Sequence, residues 1–162
     1  EELREETAAV WRLVQDVHHP PQVSKLQRLV CAALREVGGP AVRVVEETSV
    51  AGLLSLDALV VPATPSSGDG GRRVAVGIEV DGPWHFFSNR PTSRTGSTLL
   101  KRRLLDKAVE RGQLSAWVPI AWWDWRAAGG CMGNAPARDP EAAKEWLRRL
   151  MRDRAGIMGN TD

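Results

Sequence analysis

A chain of 162 residues, 43% hydrophobic and 26% charged, is sized for one globular domain with room for an appended helix. Its two cysteines, Cys31 and Cys131, exclude a disulfide framework or a Cys-rich metal site. No apolar run approaches the roughly 18 residues that a membrane-spanning helix needs. The net charge of +2 hides an asymmetry. Residues 1–16 carry five acids and two bases (net −3), whereas residues 88–112 carry seven bases and two acids (net +5). A local excess of bases is either a phosphate-binding footprint or a solvated helix face.

In chain order, residues 1–15 have helical spacing but strong acidity, and His18-His19-Pro20-Pro21 ends them as a linker. The opening Glu1-Glu2-Leu3-Arg4 reads as a start inside a longer protein, so an upstream targeting segment is left open. Over residues 22–37 the apolar positions Val23, Leu26, Leu29, Val30, Ala33, Leu34 and Val37 recur in steps of three and four, predicting a helix with one buried stripe. Cys31 on that stripe reads as a buried, reduced thiol. Gly38-Gly39-Pro40 stops the helix. Two strands are expected over 42–47 and 53–61, a loop over 62–71, and a third strand over 74–80. A long polar loop (88–96) then leads to a helix over 97–111, closed by Gly112. A nearly apolar run, 116–125, reads as a fourth, central strand. After a glycine-rich loop (129–133), Asp139-Pro140 supplies an N-cap and first-turn proline for a last helix, with Ala143, Trp146, Leu147, Leu150 and Met151 inward. Strands one to three suit an antiparallel meander, and the crossover helix implies a parallel fourth neighbour. The expected fold is α/β, a mixed sheet of about four strands flanked by helices. Three regions follow: an acidic helix or linker (1–19), the main domain (20–154) and a disordered tail (155–162).

Three acids interrupt the strands. Glu79 and Asp81 are two apart and share a face, opposite Ile78 and Val80, and Asp57 lies beside them in a suitable register. Gathered carboxylates repel and need a proton, a basic partner or a hard cation such as Mg²⁺ or Mn²⁺. Lys101 is a candidate partner. At about 100° per residue it falls within the apolar arc of Leu100, Leu104, Leu105, Ala108 and Val109, while Arg102 and Arg103 fall outside it. Either it meets those carboxylates or its stem lies on the core while the ammonium reaches solvent. His85, just past Asp81-Gly82-Pro83-Trp84, is open to two readings, a proton shuttle or RNA contact and a structural loop residue.

The strings AVGIEVDGPWHFFSN, RTGSTLLKRRLL and WVPIAWWDW, in that order, resemble the RAP domain, most closely over residues 74–126. That resemblance implies RNA binding at the C-terminus of chloroplast or mitochondrial RNA-processing factors, after upstream helical repeats. The family is also similar to PD-(D/E)XK nucleases, and VDGPWHF to the turn of very-short-patch-repair endonucleases. This implies a restriction-endonuclease-like three-layer fold, with Asp57, Glu79 and Asp81 as metal ligands and His85 and Lys101 near the reaction centre. The nuclease pattern places lysine two residues after its second acid, where this chain has Asp81.

Two functions are therefore expected. As a binding module, Trp84 would stack on bases of single-stranded RNA while Arg90, Arg94, Lys101, Arg102 and Arg103 meet phosphates, and the Thr95, Ser97 and Thr98 helix entry suits another phosphate. Trp117 and Trp123 read as core. As a Mg²⁺- or Mn²⁺-dependent endoribonuclease, Asp57, Glu79 and Asp81 would hold the metal, with Lys101 or His85 beside the nucleophile.

Overall fold

A computed structural model describes residues 24–50, 54–63, 75–132 and 136–156. The acidic segment 1–19, most of the loop predicted at 62–71, the far end of the glycine-rich loop and residues 157–162 lie outside the described residues.

Helix α1 (Lys25–Gly38) starts at Ser24, whose hydroxyl accepts from Gln27 N at 3.0 Å. Its stripe of Leu26, Val30, Cys31, Ala33 and Leu34 is buried as the three- and four-residue spacing predicts. Burial also pushes the Cys31 thiol up to about 12, so it stays protonated. Strands β1 (Val42–Val50) and β2 (Leu54–Pro62) pair antiparallel, and β2 pairs antiparallel with β3 (Val76–Asp81). A short hairpin, β4 (Phe86–Phe87) and β5 (Arg90–Arg94), leads to α2 (Gly96–Glu110). Strand β6 (Ala116–Ala121) runs parallel to β3, as the crossover requires, so the sheet order is β1-β2-β3-β6. Helices α3 (Trp122–Ala127) and α4 (Pro140–Ala155) complete the described chain. The fold is thus α/β, a mixed four-stranded sheet flanked by helices.

The two sheet faces bury different cores. On one, Val30, Leu34, Leu147 and Met151 of α1 and α4 pack over Ala58, Val60, Val76, Ile78, Val118 and Ile120. On the other, Leu105 and Ala108 of α2 pack on Leu54, Leu56 and Leu114. Fully burying one such Leu or Val contributes about 1.5–3 kcal/mol. Strand pleating would put Leu56 and Ala58 on one face, yet they lie in opposite cores, so β2 turns over at Asp57. The β1–β2 register is the same on both sides of this point, with only the Glu47–Asp57 pair missing, and Glu47 has a φ of 48°, in the left-handed region. Buried Gln27 fills the irregularity, its amide donating to Asp57 O at 3.1 Å and Glu47 Oε1 at 2.5 Å.

Two elements differ from the sequence expectation. The polar segment 88–96 is not all loop: β5 pairs Arg94 with Phe86 and Arg90 with Phe87. The run 116–125 is not one strand: it ends at Ala121 and turns into α3. Helical spacing lets Trp125 turn inward, where it is buried and its indole N–H donates to Cys131 O at 2.9 Å. The last helix follows its predicted cap, Asp139 accepting from Ala142 N at 2.9 Å, and runs one residue into the expected tail before Gly156 ends it.

Candidate nucleic-acid interface

The end of β3, the following turn, the hairpin and the first half of α2 converge. Glu79 and Asp81 are buried on the α2 side of the sheet, with Ile78 and Val80 on the other, as their alternation predicts. Lys101 reaches this face. Its Nζ lies 2.6 Å from Glu79 Oε2, so the lysine within the apolar arc is a paired one. Leu99 and Leu100 beside it are exposed, so the apolar arc begins further along the helix than the periodicity implies.

The acids do not share one space. Asp57 Oδ2 accepts from Val80 N at 2.6 Å, just past the last β2–β3 pair, Ala58 and Ile78. Its carboxylate replaces a ladder partner where β2 turns over. Burial raises the Asp57 pKa, against the pull of the Val80 N–H and Lys101. Asp57→Ala is expected to cost about 2 kcal/mol, because it orphans that N–H. Urea unfolding measures this, and unchanged stability would show that water satisfies Val80 equally well.

Burial likewise raises the Glu79 carboxyl, to about 8, with Lys101 opposing and Asp57 and Asp81 reinforcing the rise. Its Oε1 has no hydrogen-bond partner. Asp81 is met by two guanidiniums and an imidazole: Arg94 Nε at 3.3 Å and Arg102 Nη1 at 3.9 Å from Oδ2, and His85 Nδ1 at 3.5 Å from Oδ1. Among the described residues no three His, Cys, Asp or Glu side chains come together as a metal-holding group. Asp57, Glu79 and Asp81 are each held by other groups of this chain.

The turn is tied down. Thr95 N donates to His85 O at 3.0 Å, and Thr98 Oγ1 lies 3.4 Å from His85 Nδ1 and 3.3 Å from His85 O. Thr95 caps α2, with Ser97 Oγ at 3.2 Å from its hydroxyl. The hydroxyls expected at a phosphate are thus engaged in capping the helix and anchoring the turn. From that turn Trp84 projects into solvent, 94% exposed, and Phe87 is about half exposed. Phe86 is buried, its ring tilted against Trp123 at 4.3 Å between centroids.

These positions coincide with a known sequence family. Residues 78–108 match the family model of the RAP domain. That span takes in the end of β3, the Trp84 turn, the hairpin and most of α2. The RAP domain is associated with RNA binding in RNA-processing factors. No curated protein and no solved structure matches the chain.

Within the RAP segment, Arg94, Lys101 and Arg102 are brought to the acids, while Arg90 and Arg103 are exposed and outside that cluster. Trp117 and Trp123 are half-buried rather than core. Sequence reasoning missed two contributors. Trp117 carries Arg102, whose Cζ lies 4.9 Å from the ring centroid, and Asp106 holds the indole N–H at 2.8 Å. Arg154, at the end of α4, is close enough to help depress the basicity of Arg102. The strand parity that sets Trp117 opposite Val118 was a readable signal for the first, but nothing local signals Arg154.

Proposed function

We propose that this chain is an RNA-binding module whose contact surface is the Trp84 turn together with the cationic groups of β5 and α2. The observation that carries this reading is the exposure of Trp84. A tryptophan left 94% in water, on a turn anchored by His85, Thr95 and Thr98, contributes nothing to the core. It is suited to stack on an unpaired base, a contact tolerant of sequence. Arg90, Arg94, Arg102 and Arg103 supply positive charge on the same segment, and the RAP match points the same way. In this reading the chain ends a chloroplast or mitochondrial RNA-processing or RNA-stability factor, and upstream helical repeats choose the transcript. That finer assignment rests on the family resemblance.

Trp84→Ala is expected to weaken binding of a labelled single-stranded oligoribonucleotide about five- to thirtyfold, the loss of one stacked base, without lowering the unfolding midpoint. Fluorescence anisotropy measures it, and equal affinity would remove Trp84 from the interface. The alternative reading is a metal-dependent endoribonuclease in which Asp57, Glu79 and Asp81 hold the ion while Val80 N–H, Lys101 and the arginines stay beside them. Incubating the same RNA with Mg²⁺, Mn²⁺ or EDTA separates the two. Metal-dependent cutting lost in Asp81→Ala would establish the enzyme.

A further inference from the structure

Two guanidinium groups meet one carboxylate oxygen. Arg94 Nε and Arg102 Nη1 both approach Asp81 Oδ2, at 3.3 and 3.9 Å, and Asp81 is buried. Each guanidinium also lies over an aromatic ring, Arg94 at 5.3 Å over Phe86 and Arg102 at 4.9 Å over Trp117. Those rings are themselves held, Phe86 by Trp123 and Trp117 by Asp106. Rotamer freedom is therefore largely removed from two side chains that are normally among the most mobile.

The charges do not cancel. Two arginines share one aspartate oxygen there, Asp106 adds a weaker attraction for Arg102 and Arg154 a weaker repulsion, and Arg102 Nη1, itself buried, makes no hydrogen bond. Burial and then the charge of Arg94 lower the Arg102 pKa, so the two guanidiniums repel one another. A second anion would relieve that repulsion, and both side chains remain about a quarter exposed to receive one. A tetrahedral phosphate offers oxygens to two guanidinium forks at once.

We propose that Arg94 and Arg102 form a clasp for a single phosphate group, and that Asp81 is the positioning residue that holds the clasp open. The proposal deepens the RNA-binding reading and rests on it. It separates Asp81 from bulk electrostatics, since removing an acid should ordinarily tighten binding to a polyanion. Here removing it releases the arginines and weakens binding.

The test uses the full 162-residue chain and a fluorescent single-stranded oligoribonucleotide of about 12 nucleotides. Asp81→Asn is expected to weaken binding at least about fivefold despite losing a negative charge. Arg94→Lys with Arg102→Lys keeps both charges but loses the forks, and a similar loss is expected. Adding Asp81→Asn to that double variant should then change affinity little, because Asp81 acts through the arginines; a merely structural Asp81 would weaken both backgrounds alike. The lysine pair also decides the matter if Asp81→Asn does not fold. Comparing the oligonucleotide with a 5′-phosphate and with a 5′-hydroxyl distinguishes the phosphate's source. Equal losses assign a backbone diester, and a loss confined to the phosphorylated oligonucleotide assigns a terminal monoester. Unchanged or tighter binding by Asp81→Asn, or unchanged binding by the lysine pair, overturns the clasp while leaving RNA binding intact. Failure of the unaltered chain to bind either oligonucleotide overturns the RNA-binding reading itself.

Discussion

Between about pH 5 and pH 8 the protein is expected to lose stability on the order of 3 kcal/mol, and Glu79→Gln to remove most of that loss. The folded-state pKa of Glu79 is raised from 4.5 to about 8, chiefly by burial. A carboxyl raised in this way keeps its proton in the folded chain at pH values where the unfolded chain has released it. Its stabilising contribution is complete below the unfolded pKa and disappears as pH rises through the folded one. Asp57, also raised by burial, adds a slope of the same sign. Lys101 opposes both, because its ammonium favours the ionised carboxylates. Glutamine keeps the shape of Glu79 and cannot ionise, so the slope that survives in the variant belongs mainly to Asp57. Urea unfolding at several pH values gives both curves. A variant that loses stability as steeply as the parent would place the titration elsewhere.

The same burial that makes Glu79 hard to ionise explains how its neighbourhood is balanced. The nuclease pattern has a lysine two residues after its second acid, and here that position is Asp81, itself an acid. The compensating cation comes instead from α2, where Lys101 reaches Glu79 at 2.6 Å. Arg94 and Arg102 do the same for Asp81, and a backbone N–H serves Asp57. A divalent ion entering this site would meet Lys101 beside Glu79 and Arg94 beside Asp81. It would then sit among cations whose repulsion its own charge increases. Cations beside Glu79 and Asp81 that remain partly exposed are placed to meet a phosphate as well.

Much of this was legible in the sequence because it depends on short-range periodicity. Alternation fixed the faces of Glu79 and Asp81, the crossover helix fixed the parallel pairing of β6, and the angular position of Lys101 aimed it at the sheet while leaving open whether it met the acids or reached solvent. The unread features depend on contacts between segments distant in the chain. That β2 turns over at Asp57 follows from Glu47 in the left-handed region and from Gln27 inserted from α1. Neither residue type announces this. Segment 90–94 looked like a loop because its residues are polar, yet its pairing with Phe86 and Phe87 needs only backbone groups. The role of Trp117 as a platform for Arg102 requires knowing that α2 crosses that strand.

Gly130→Ala is expected to destabilise the fold by about 3 kcal/mol or more. A Cβ at this position would stand 2.2 Å from Trp125 Cε2 and 2.4 Å from Cδ2 and Nε1. Such contacts require the indole or the backbone to move. Neither moves cheaply. Trp125 is buried, its N–H is bonded to Cys131 O, and its ring meets Trp146 of α4 edge-on at 6.4 Å between centroids. Gly130 N donates to Trp125 O at 2.9 Å, which fixes the backbone over the ring. Gly129 beside it has a φ of 98°, and a Cβ there would meet Asp139 O at 2.6 Å. The pair thus lets the chain pass between the tryptophan of α3 and the cap of α4. Strain introduced at Gly130 should spread into the α4 core, where Leu147 and Met151 are fully buried, and lower the urea midpoint with little change in slope. A stable Gly130→Ala protein would mean that the indole can swing aside, and that α4 is held by its apolar face alone.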